Sequence, residues 1–160
     1  MSVTLESVEQ KVRTNANPDF RFEHNETTPF VQLTKKIHEA KGALISTGGI
    51  FVKTYPPFND NYGIGDPSYR EIPSDISINK LSRYHEHYDH TNAMKDINCV
   101  FPIERMRQLQ SSGVIGSLAE TFYSFMGYLT VTHPLKTITA PEVARKMHRE
   151  NVDFAVLVPV

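Results

Sequence analysis

The chain has 160 residues, enough for one domain that buries a core without disulfide or metal staples, and its 39% hydrophobic and 22% charged residues place it among ordinary globular proteins. A net charge of −1 with no long block of one sign offers no electrostatic footprint for nucleic acid, and a single cysteine excludes both an internal disulfide framework and a cysteine-built zinc site. No apolar run approaches the length of a membrane span, and MSVTLESVEQKVRTN lacks the apolar core of a signal peptide, so a cytoplasmic protein is expected.

Residues 1–40 read as a partly irregular N-terminal extension, with one short amphipathic helix from Val3, Leu5, Val8 and Val12. Residues 41–160 read as an α/β domain. Gly42–Ser46 is short and apolar and is closed by Thr47-Gly48-Gly49, which predicts a buried strand and a tight turn; Ile50–Lys53 continues as a second short strand. Pro56, Pro57, Pro67 and Pro73, with Gly63 and Gly65, predict a long ordered loop over 55–80 and no sheet. Pro102 opens a helix that Gly113 ends. Ala119–Val131 carries a strand. Thr139, Pro141 and Glu142 spell an N-cap, a first-turn proline and a capping box for a helix that buries Val143 and Met147 and stops at Asn151. Phe154–Val158 is a continuous apolar run, expected as a parallel strand buried on both faces. Strands alternating with helices predict a mostly parallel sheet with flanking helices, doubly wound in a flavodoxin-like or Rossmann-like way. Ligands in such folds bind just outside the carboxyl ends of the strands. The last residues lie at such an end, so the fold is expected to be incomplete at its C-terminus and to continue beyond residue 160.

Four groups of residues carry candidate chemistry. The stretch RYHEHYDH places His85, His87, Asp89 and His90 in the spacing H-x-H-x-D-H, which resembles the zinc-binding string of metallo-β-lactamase-like hydrolases. The preceding Ile76–Arg83 is too polar for the central strand such a site needs, and the alternative is a cleft-lining histidine cluster. Thr47, Gly48 and Gly49 either present amide N–H groups to an anion or form a bare turn. Arg70, in GDPSYR, either captures a carboxylate or ties the loop to Asp66. Cys99, within INCVF, reads as a small buried hydrophobe, since a redox role needs a second thiol.

Several words together resemble one family, selenoprotein B of the glycine/sarcosine/betaine reductases, with the related D-proline reductase subunit. They are ALISTGG (43–49), GDPSYREIP (65–73), HYDH (87–90), DINCVFPI (96–103), GVIGS (113–117), FMG (125–127) and VDFAVL (152–157), in family order from about residue 40 onward. The histidine word then belongs to the family, and no metal is required. The resemblance implies a reductase subunit that cleaves a C–N bond of glycine, sarcosine, betaine or D-proline. It implies a selenocysteine or cysteine directly after Val160, a pyruvoyl group on a partner subunit, and thioredoxin-like thiol partners. A selenocysteine codon read as a stop would leave a chain that ends here, inactive alone. Thr47, Gly48, Gly49 and Arg70, with His85, His87, Asp89 and His90 lining the same cleft, are the expected substrate-binding residues. Two other readings remain: a zinc-dependent hydrolase using His85, His87, Asp89 and His90, and a non-catalytic binding or assembly subunit. An uncovered sheet edge would make the protein an oligomer.

Overall fold

The structure is a computed structural model that describes residues 3–15, 17–22, 24–29, 31–60, 63–84 and 88–160. It divides into two compact units, Met1–Gln32 and Leu33–Val160. The first unit holds α1 (Leu5–Asn15), whose N-terminus is tied by Thr4 and Ser7 exchanging side-chain and backbone hydrogen bonds. Glu9 of this helix accepts the Phe22 N–H.

The second unit is built on a mixed, mostly parallel sheet with flanking helices, the α/β class expected. Its centre is β1 (Lys41–Ser46), an apolar strand with Ala43 and Leu44 fully buried. β2 (Ile50–Val52) follows the turn, then β3 (Tyr69–Pro73), β4 (Leu81–Arg83) and the short helix α2 (Thr91–Lys95). After α3 (Ile103–Ser111) come β5 (Ser117–Leu118) and β6 (Thr121–Phe125), then α4 (Ala140–Arg149) and β7 (Phe154–Val158). β5 and β6 form one interrupted partner for β1: Lys41 and Gly42 pair with Ser117 and Leu118, Ile45 and Ser46 with Tyr123 and Ser124, and a bulge at Ala119 and Glu120 takes up the difference in register. β7 runs parallel to β1 on its other side, and β3 runs antiparallel to β6. β2 and β4 form a separate antiparallel ribbon.

Strand alternation sorts the core into two faces. Leu44, Ile72 and Phe122 face Phe101, Ile103 and Met106 of the α3 side. Ile45, Tyr123 and Phe125 face Leu135, Val143 and Met147 of the α4 side. Two fully buried hydroxyls pin the β1–β2 connection. Ser46 Oγ donates to Val100 O at 2.6 Å and accepts the Gly48 N–H, while Ser124 Oγ accepts the Ile50 N–H at 2.8 Å.

Four expectations need correction. The 55–80 segment is not all loop: Tyr69–Pro73 is an edge strand, and Pro73 is tolerated because it sits at the strand's end, opposite Thr121. The capping box does not form. A π-helical turn over Leu135–Thr139 runs straight into α4, so Thr139 is already helical and its hydroxyl donates to Pro67 O. Glu142 instead accepts the Tyr69 hydroxyl at 2.8 Å and lies 3.6 Å from Lys146, which also pairs with Glu71. β7 is not buried on both faces, since Leu157 is 68% exposed. Cys99 is exposed, although its neighbour Val100 is buried. Asn151 does end α4, in the left-handed conformation with φ 55°.

Candidate functional site

The carboxyl ends of β1, β6 and β7 converge on the Thr47–Gly49 turn, the place where open α/β sheets take ligands. Gly49 has φ 67°, the conformation that lets the chain reverse here. The three amides of the turn are all used within the protein. Thr47 N–H donates to Val158 O at 3.1 Å, Gly48 N–H to Ser46 Oγ at 3.0 Å, and Gly49 N–H to Phe125 O at 2.9 Å. Thr47 Oγ1 accepts the Val160 N–H at 2.9 Å, so turn and strand end are knitted together. The turn is therefore a rigid junction, and its polar offering is the hydroxyl of Thr47.

Beside Thr47 lies a cavity of about 400 Å³ between the sheet and α4. Its walls are apolar: Ile45, Phe125, Met126, Leu135, Val143 and Met147 among them. Among the described residues no ionisable side chain lines it. Chemistry placed at its mouth would be shielded from water on the α4 side, while polar recognition has to come from elsewhere.

The polar side is supplied by the end of β4 and by Tyr88–His90. Arg83 pairs with Ile50, and Tyr84 N–H donates to Gly49 O at 2.9 Å, which lays the end of β4 along the turn. Tyr88 reaches back with its hydroxyl to Gly48 O at 3.3 Å. Burial pushes the Tyr88 phenol up and the Arg83 charge opposes that rise. The His90 ring packs on Tyr88 with centroids 4.3 Å apart. Asp89 Oδ1 accepts both the N–H and the hydroxyl of Thr91, which holds its carboxyl below the usual range and commits it to the entrance of α2. His85 and His87 lie outside the described residues. Among the described residues no three His, Cys, Asp or Glu side chains converge as a metal site.

Arg70 stands in a loop that consumes it. Nε donates to Pro56 O, one Nη to Ser68 Oγ and Tyr69 O, and the other to Pro57 O and Asp66 Oδ2 at 3.4 Å. Its plane also lies over the Phe58 ring, 4.1 Å from the centroid. All five N–H donors of the guanidinium are thus engaged within the loop. Thr47, Gly48, Gly49 and His90 are brought together; Arg70 serves its own loop. Arg83 and Tyr88 join the site without having been singled out from sequence. The signal was a cation opening a word read only for its histidines.

Comparison with known proteins places these features in a family. The family described as glycine/sarcosine/betaine reductase selenoprotein B matches residues 10–160. The D-proline reductase subunit gamma of Acetoanaerobium sticklandii is 38% identical over 125 residues, covering 78% of this chain and 50% of that protein. The glycine reductase complex component B subunit gamma of Symbiobacterium thermophilum is 30% identical over 131 residues, 77% of this chain and 29% of the relative. The sarcosine reductase complex component B subunit beta of Peptoclostridium acidaminophilum is 33% identical over 98 residues, 58% of this chain and 22% of the relative. The chain spans about half the length of the first relative and less than a third of the other two. No solved structure matches it significantly. No helix among the described residues is long and apolar enough to cross a membrane. The match over 10–160, together with the 38% identity, shows that the chain belongs to the glycine/sarcosine/betaine reductase selenoprotein B family.

Proposed function

We propose that this chain supplies the strand-end scaffold of a reductase-complex subunit that cleaves a C–N bond of a small amino acid or related amine, D-proline, glycine, sarcosine or betaine. The observation that supports it most directly is the 38% identity to the D-proline reductase subunit across most of the chain. The junction of Thr47 with Val158 and Val160, beside an apolar cavity, is the kind of place in which such chemistry is sheltered.

The overall reaction replaces a C–N bond by C–H and N–H. Two electrons and two protons come from a dithiol that becomes a disulfide, or from its selenium counterpart. Cys99 is the only thiol in the 160 residues and is exposed, so this chain cannot form such a pair by itself. In this reading the selenocysteine or cysteine nucleophile and its resolving thiol come from outside these residues. For glycine or D-proline, whose nitrogen can condense with a carbonyl, a pyruvoyl group on a partner subunit would make the carbon next to that nitrogen electrophilic. The chain's own groups orient the substrate at the turn and exclude water from the α4 side.

The test is a chimera in which this chain replaces the matching half of the D-proline reductase gamma subunit. Assembly with the other subunits and dithiol-dependent cleavage of one of the four substrates is expected. A folded, assembled chimera that cleaves none of them overturns the reading. The isolated 160-residue chain is expected to release no amine product.

A further inference from the structure

Among the described residues, the buried side-chain nitrogens without a hydrogen-bond partner are Arg83 Nε and His90 Nδ1. Buried polar atoms are nearly always paired, and an orphaned charged donor is the most costly kind. Arg83 stands at the end of β4, whose next residue donates to Gly49 O, and Tyr88 connects His90 to Gly48 O. Arg83 also lines a cavity of about 320 Å³ between β4 and α2. Among the described residues, the other charged side chains of that cavity are Lys53, Lys95 and Asp96. Among the described residues the cations around the cavity, Arg83, Lys53 and Lys95, outnumber its one carboxylate, although Lys53 Nζ donates to Asn79 O.

We propose that Arg83 binds the carboxylate of the small-molecule substrate at the end of β4, in the cavity it lines with Lys53 and Lys95. The inference rests on the reductase reading for the identity of the ligand, but its geometry is independent of it. A carboxylate offers two oxygens. Arg83 Nε–H and an Nη–H make the bidentate fork that suits one. Arg70 has no donor left for this role.

The experiment is ligand-observed NMR on the 160-residue chain, with propionate as probe and propylammonium and inorganic phosphate as controls. Propionate is expected to bind saturably and propylammonium not to bind. Arg83→Gln should weaken propionate about tenfold or more, and Arg83→Lys, which keeps the charge and loses the fork, should weaken it to an intermediate degree. If Arg83→Gln fails to fold by circular dichroism, Arg83→Lys carries the test. Unaltered affinity in the folded Arg83 variants, absence of saturable binding to the unaltered chain, or phosphate displacing propionate at lower concentration overturns the proposal. In the chimera, Arg83→Lys should raise KM and spare kcat. An unchanged KM overturns the carboxylate site alone. A chimera without C–N cleavage, built on a chain that still loses propionate on Arg83→Gln, retires the reductase reading and leaves the site standing.

Discussion

Asp66 shows how one carboxylate can organise a proline-rich segment. Its oxygens accept the N–H of Asn59, the N–H and hydroxyl of Ser68, and an Nη of Arg70. Burial acts to raise its pKa, but the Ser68 hydroxyl, the two amides and the Arg70 charge outweigh burial and hold it below the usual value. A depressed folded pKa means that the stabilisation is present above the unfolded value, near 3.8, and is lost as pH falls through the folded value. Asp66→Asn should therefore cost about 1–3 kcal/mol at pH 7, with the gap to the unaltered protein closing in acid. Urea unfolding at pH 7 and pH 3 measures both; a gap that stays constant would contradict the linkage. The Asp66–Arg70 pair was legible in GDPSYR as one of two readings. The Pro56 and Pro57 carbonyls and the Phe58 ring that complete the Arg70 environment were not, because they come from a part of the chain with no local signal for it.

At the scale of elements, β1, β2, α3, α4 and β7 were all legible from apolar patterning and from their proline and glycine boundaries. β3 was not, because its pattern is masked by proline and by polar residues that an edge strand tolerates. The start of α4 was misread because sequence shows a capping box but not the preceding π turn. Pro141 has no N–H to give to Thr137 and its ring crowds that carbonyl; a widened turn upstream accommodates it inside a continuous helix. The β1–β7 pair depends on Gly42. A Cβ there would lie 2.5 Å from the ring of Phe154, its partner on β7. Gly42→Ala should displace that ring and destabilise the domain by about 1–3 kcal/mol, with faster amide hydrogen exchange in Phe154–Val158 than elsewhere in the sheet. Uniform exchange across the sheet would show that β7 does not depend on this contact.

For the whole molecule, β7 pairs with β1 on one side, and among the described residues no strand pairs with its other edge. Leu157 and Ile138 are exposed, and no charged residue interrupts Phe154–Val158. Such an edge invites another strand. The isolated chain is expected to self-associate as its concentration rises, and Leu157→Lys should shift it toward the monomer in light scattering. A concentration-independent monomer would remove that expectation. By itself, the sequence determined the α/β class, the order of most elements and the family, because apolar periodicity and ordered family words are local properties of the chain. Only the tertiary structure decided which groups are spent and which remain. Arg70 and Arg83 are indistinguishable as residue types, yet one is saturated by carbonyls brought in from Pro56 and Pro57, while the other is set against the β1–β2 turn with its Nε buried and unpaired. Hydrogen-bond satisfaction depends on partners distant in sequence, so that difference exists only once the chain is folded.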